Sequence, residues 1–145
     1  MSSKKRQAKL YQFDPMIYPR FFWVVTGGDY SDIKKWFLHY SGEEIEQSDV
    51  GNLGGMCLSV TSRQNQSLGI LIWFPDIHLA KANWITHESV HGTLELFDQL
   101  GLRVDFRNQE PLAYLAGWFA ECIEFVKTGK VNALNTEKKT DESNN

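Results

Sequence analysis

The segment RFFWVVT at residues 20–26 constrains the fold more than any other stretch of the chain. It is a compact run of aromatic and β-branched side chains closed by Gly27 and Gly28, the pattern of a buried strand that ends in a turn. Two more strand-like runs, MCLSVTS at 56–62 and LGILIWFP at 68–75, are separated only by the polar RQNQS, which predicts a hairpin.

Helical patterns surround these runs. In YSDIKKWFLHY, residues 30–40, the side chains of Ile33, Trp36, Phe37 and Tyr40 recur at three-to-four spacing, and Asp29 or Ser31 can cap the start. A second helix is predicted from about Leu79 to Leu100, where Gly101 suits a left-handed cap. Asn108 as N-cap and Pro111 in the first turn predict a last helix to Lys127 or Thr128, stopped by Gly129. The acidic, glycine-rich SGEEIEQSDVGNLGG at 41–55 reads as a loop, with Glu43, Glu44 and Glu46 solvated. The expected order is strand, helix, strand, strand, helix, helix: an α+β domain on a small mixed sheet of about three strands.

With 145 residues, 42% hydrophobic and 13% aromatic, the chain supports one domain and one core, expected over residues 10–130. The basic arm 1–9, carrying Lys4, Lys5, Arg6 and Lys9, and the polar tail 131–145 are expected to be disordered, because neither has apolar side chains enough to offset ordering. A net charge of −3 offers no broad cationic field, which disfavours nucleic acid as a partner. No apolar run is long enough to span a membrane and no apolar core follows the N-terminal charges, so a cytoplasmic protein without membrane contact is expected. Cys57 and Cys122 are widely separated, which argues against a disulfide scaffold or a thiolate zinc knuckle.

The chemistry-bearing motif is HESVH at 87–91. Residues four apart share one helix face about one turn apart, so His87 and His91 can aim imidazole nitrogens at one ion, with Glu88 offset by roughly 100° beside it. Two neutral nitrogen ligands, an open position for water and an adjacent carboxylate suit Zn2+-assisted hydrolysis, with Glu88 as the general base.

A catalytic zinc commonly takes three protein ligands, so another is expected. Glu110 ranks first because an antiparallel return of the last helix can bring it over the histidines; Asp105 and Glu121 follow. Glu110, Tyr114, Gly117 and Glu121 form one stripe at i, i+4, i+7 and i+11, read as a buried polar face that needs partners or a metal. Tyr114 is the candidate oxyanion donor. Gly92, unfavourable in a helix interior, suggests close approach of another element to the metal face.

HESVH followed by NQEPLAYLAGWFAECI resembles the gluzincin branch of HExxH zinc metallopeptidases. Together with FDPMIYPRFFWVV and HESVHGTLELFDQLGL, it is similar to small metallopeptidase-like proteins of bacteriophages and mobile elements of gut bacteria, including crAss-like phages; the resemblance spans roughly residues 11–126. It implies a minimal zincin-like domain in which His87, His91 and Glu110 hold Zn2+ and Glu88 is the base. One departure is that Gln109 stands between Asn108 and Glu110, where the larger gluzincins have the glutamate directly after an asparagine. The resemblance also implies a peptide or protein substrate bound by strand addition, with GILIWF or CLSVTS as the edge, in a bacterial host cytoplasm or associated with a virion, where a phage or host protein would be the partner. A non-catalytic binding protein on the same fold is the alternative, and a regulator using metal only for stability is a third class. His39 and His78 read as structural or solvated, and Trp23, Trp36, Trp73, Trp84 and Trp118 as core side chains, with Trp73 and Trp84 able to border the cleft.

Overall fold

The computed structural model describes residues 6–50 and 55–136. Its strands are β1 (Lys9–Phe13), β2 (Phe21–Thr26), β3 (Phe37–His39), β4 (Met56–Ser62) and β5 (Leu68–Phe74). Its helices are α1 (Tyr30–Trp36), α2 (Ala82–Leu100) and α3 (Glu110–Lys127). The strands form one sheet in the order β1-β2-β5-β4-β3, with β2 and β5 parallel and every other pair antiparallel.

The apolar runs are continuous because β2 and β5 are buried on both sides. Alternate side chains supply two separate cores. Phe22, Val24, Ile70, Ile72 and Phe74 pack beneath α2 and α3 with Leu96, Phe119 and Ile123. Trp23, Val25, Leu71 and Trp73 pack on the opposite face with Ile33, Phe37, Ile45 and Val50.

Five strands stand where about three were expected, and the two additions have different causes. In β1, KLYQF has only two fully buried positions, and Gln12 interrupts it; the glutamine carboxamide accepts a 2.9 Å hydrogen bond from Trp23 Nε1 across the strand pair. At β3 the helical spacing of Phe37 and Tyr40 is misleading. The helix stops at Trp36, whose carbonyl accepts from Arg63 N at 2.9 Å, and Phe37 to His39 pair with Ser62 to Val60. Strand pairing overrides local periodicity here.

The 56–62/68–75 hairpin is present as the antiparallel β4–β5 pair. Asp29 caps α1, and Gly101, at φ 69°, ends α2 in the left-handed conformation. The N-cap of α3 is Gln109 rather than Asn108. Both ends of the ordered chain reach further than expected: Gly28 N donates to Arg6 O at 2.8 Å, and Leu134 N donates to Leu10 O at 2.7 Å. The expected disorder of residues 1–5 and 137–145 lies outside the described residues. Among the described residues no helix is long and apolar enough to cross a membrane, and both cysteines are free.

Candidate metal centre

His87 and His91 are exposed on α2, with their Nε2 atoms 3.2 Å apart and their ring planes at 75°. Two nitrogens on a tetrahedral zinc at about 2.0–2.1 Å lie about 3.3 Å from each other. The pair therefore matches the bite of one ion. The same separation also suits a hydrogen bond between one protonated and one unprotonated nitrogen. Among the described residues no hydrogen bond fixes either Nδ1, so nothing locks the tautomers against ligation.

Glu88, between the two histidines in sequence, turns inward and is only 5% exposed. Its side chain lies beside Gly55, where an added Cβ would sit 3.3 Å from Oε1. Oε2 is buried without a hydrogen-bond partner among the described residues. Burial raises the Glu88 carboxyl above its ordinary pKa, and the neighbouring His87 and His91 pull it back only in part. A buried carboxylate without a partner is costly, so this group favours a nearby cation or a proton.

Sequence reasoning missed three neighbours of this flank. Glu95 Oε2 accepts from Ser59 Oγ at 2.7 Å and ties α2 to β4. Cys57 packs against the core beneath the helices, and its thiol is held well above the ordinary range by burial, with Glu88 and Glu95 adding to the shift. The available signals were Glu95 one turn beyond His91 and the alternation that puts Cys57 and Ser59 on one face of β4.

The remaining predicted site residues are not brought to the histidines. Thr86 borders the same surface depression as Glu121 and Glu124, so α3 runs along the Thr86 side of α2. His87 is turned about 100° further round, and His91 faces the flank marked by Glu95 and Ser59. Because α3 returns antiparallel, its first residue, Glu110, lies towards the far end of α2. Glu110, Tyr114 and Glu121 line a separate groove with Pro15, Ile17 and Tyr18. Asp105 sits in an exposed turn, accepting from Arg107 N at 2.9 Å. Among the described residues no group of three or more His, Cys, Asp or Glu side chains is arranged to hold a metal.

Two other expectations change. The α3 stripe is exposed at Glu110, Tyr114, Gly117 and Glu121, not buried, so its carboxylates need no metal for solvation. Gly92 does admit a close neighbour, but on the core side: an added Cβ would lie 3.2 Å from Phe119 and 3.4 Å from Ile72. Trp73 is buried on the α1 side of the sheet, donating from Nε1 to Gly27 O at 2.7 Å, and does not border the histidines. Trp84 is half-buried against the α2/α3 core. His39 is 3.1 Å from Asp49, and His78 is exposed.

Of the two candidate substrate edges, β5 is interior, between β2 and β4. On its outer side β4 pairs with β3 only at Val60 to Ser62, and Tyr40 N reaches Ser59 O at 3.1 Å. Antiparallel alternation turns the backbone groups of Cys57 to the same outer side, where no described residue pairs with them. Comparison of the chain with protein-family models, with curated proteins and with solved structures gives no match.

Proposed function

We propose that the β4-facing flank of α2 is a zinc centre for hydrolysis of peptide bonds, held by His87 and His91 with Glu88 as the proton-transfer group. The observation that carries this reading is the 3.2 Å imidazole pair flanking a buried carboxyl, one oxygen of which has no partner among the described residues. A structural zinc closes all four positions with protein ligands. Two histidines are one protein ligand short of the common catalytic set, and their open positions suit chemistry better than scaffolding. Bound zinc would supply Lewis acidity and lower the pKa of water to about 7. Glu88 would accept the proton of the attacking water at a carboxylate oxygen and return it to the departing amine. The outer backbone groups of Cys57, next to Gly55 and Glu88, offer a substrate strand its first hydrogen bonds, which favours the CLSVTS edge over GILIWF. The resemblance adds the setting: a bacterial host cell or virion, with a peptide or protein as substrate and a phage or host protein as partner.

The test compares wild type with Glu88→Gln on a peptide library in the presence of added zinc. Zinc uptake without turnover in Glu88→Gln supports the reading; equal cleavage by both, or none by wild type, removes it. The location of Glu110 and Tyr114 in a groove apart from the histidines favours a second reading, a binding protein on this fold without turnover. In that case zinc uptake persists while no peptide is cut.

A further inference from the structure

The groove between the β1–β2 loop and α3 encloses about 950 Å³. Its apolar surface includes Ile17, 80% exposed, and Trp118. The loop that presents it is built by tight local bonds: Met16 N donates to Asp14 Oδ1 at 2.8 Å and Ile17 N donates to Pro15 O at 2.7 Å. Met16 takes φ 68°, a conformation that side-chain-bearing residues rarely adopt, and is 83% exposed. A strained backbone that holds two large apolar side chains in water is a feature of binding loops.

The floor carries a second anomaly. Gly117 lies mid-helix, where glycine is among the least favourable residues, yet an added Cβ would meet nothing within 4 Å. No packing among the described residues accounts for it, and the helix surface at this point is bare. Glu110 and Glu121 stand at the two ends of this floor, eleven residues apart, roughly 16 Å along the helix. No basic side chain lines the groove, and neither glutamate has an ion-pair partner among the described residues.

We propose that this groove docks an amphipathic helix of a partner protein, with an apolar strip laid over Gly117 and Ile17 and a Lys or Arg at each end meeting Glu110 and Glu121. A helix is favoured because the missing side chain at Gly117 lets a second helix axis come close. The partner is basic because both rim charges are negative. A second copy of this chain is disfavoured, because a symmetric pairing of α3 would set carboxylates against carboxylates on a chain of net charge −3. This inference does not rest on the metal reading.

The probe is a dye-labelled synthetic 16-residue helix with Leu on one face and Lys at two positions eleven apart, followed by fluorescence anisotropy against the full chain. Saturable binding is expected. It should weaken about tenfold when both lysines become glutamates, since a rim ion pair is worth up to about fivefold. Gly117→Leu fills open space and should fold normally while abolishing binding; Glu121→Lys should weaken the Lys probe and strengthen a probe with Glu at the matching position. Equal binding of Lys and Glu probes, or unchanged binding by Gly117→Leu, overturns the proposal. A wild-type dimer in sedimentation that Gly117→Leu dissolves also overturns it, in favour of a second copy as occupant.

Discussion

The two polar faces on the helical layer look alike in sequence and differ in physics. On α2, HESVH sends one carboxyl inward, where Glu88 is 5% exposed and its Oε2 has no partner among the described residues, while both imidazoles stay in solvent. On α3, the stripe Glu110, Tyr114, Gly117 and Glu121 is exposed, over a floor that no described residue fills. Burial makes the first face a place where charge and proton affinity are coupled. Solvent makes the second a place where charge can only select a partner. Two helices expected to share one site therefore present two separate faces.

The sharpest way to break this contrast is Glu88→Gln, which removes the basic oxygen at constant size. Hydrolysis measured with added zinc should fall by about 10²–10⁴-fold. Next is Phe119→Ala, because this ring fills the space beside Gly92 and meets Phe22 edge-to-face, with ring centroids 4.4 Å apart. A buried Phe→Ala change costs about 3–5 kcal/mol, so urea unfolding should show a loss of that order; a loss below about 1 kcal/mol would mean that α3 is not seated on α2 as described.

A smaller effect reads the burial of Glu88 directly. Its folded pKa lies above its ordinary value of 4.5 because burial disfavours the charged form. The folded protein then holds a proton that the unfolded chain releases. The stability this gives is complete below pH 4.5 and declines as pH rises through the raised folded value. In metal-free protein Glu88→Gln should therefore raise Tm at neutral pH and change it less at pH 4. The opposite order would mean a well-solvated or paired carboxylate. The smallest effect is expected at Tyr114, 76% exposed in the groove. Tyr114→Phe would cost on the order of 10² in turnover if the hydroxyl held an oxyanion. With the phenol on the far side of α2 from His91, turnover should stay within about twofold.

Much of the fold was legible because its signals are local. The apolar runs of β2, β4 and β5, the Asp29 cap and the Gly101 stop each depend on a few neighbouring residues. β1 and β3 were not legible: one rests on a glutamine bonded to Trp23, the other on pairing with a strand some twenty residues later that cuts a helical pattern short at Trp36. At the site, the shared face of His87 and His91 follows from their spacing of four on a single helix, whereas the inward turn of Glu88 depends on which side of that helix meets the sheet. Glu110 and Tyr114 required knowing on which flank of α2 the next helix returns, which spacing within α3 does not contain. Gly92 carries a cost in the helix interior, but its neighbours are Phe119 and Ile72 rather than a metal face.

Zinc titration calorimetry at neutral pH on wild type, His87→Ala, His91→Ala and Glu110→Ala tests the central claim most directly. The account predicts one zinc per wild-type chain, uptake lost in both histidine variants, and uptake retained in Glu110→Ala, whose side chain lines the other groove. No uptake by wild type, or uptake by the histidine variants equal to it, would contradict a metal centre on α2; loss of uptake in Glu110→Ala would contradict the separation of the two faces.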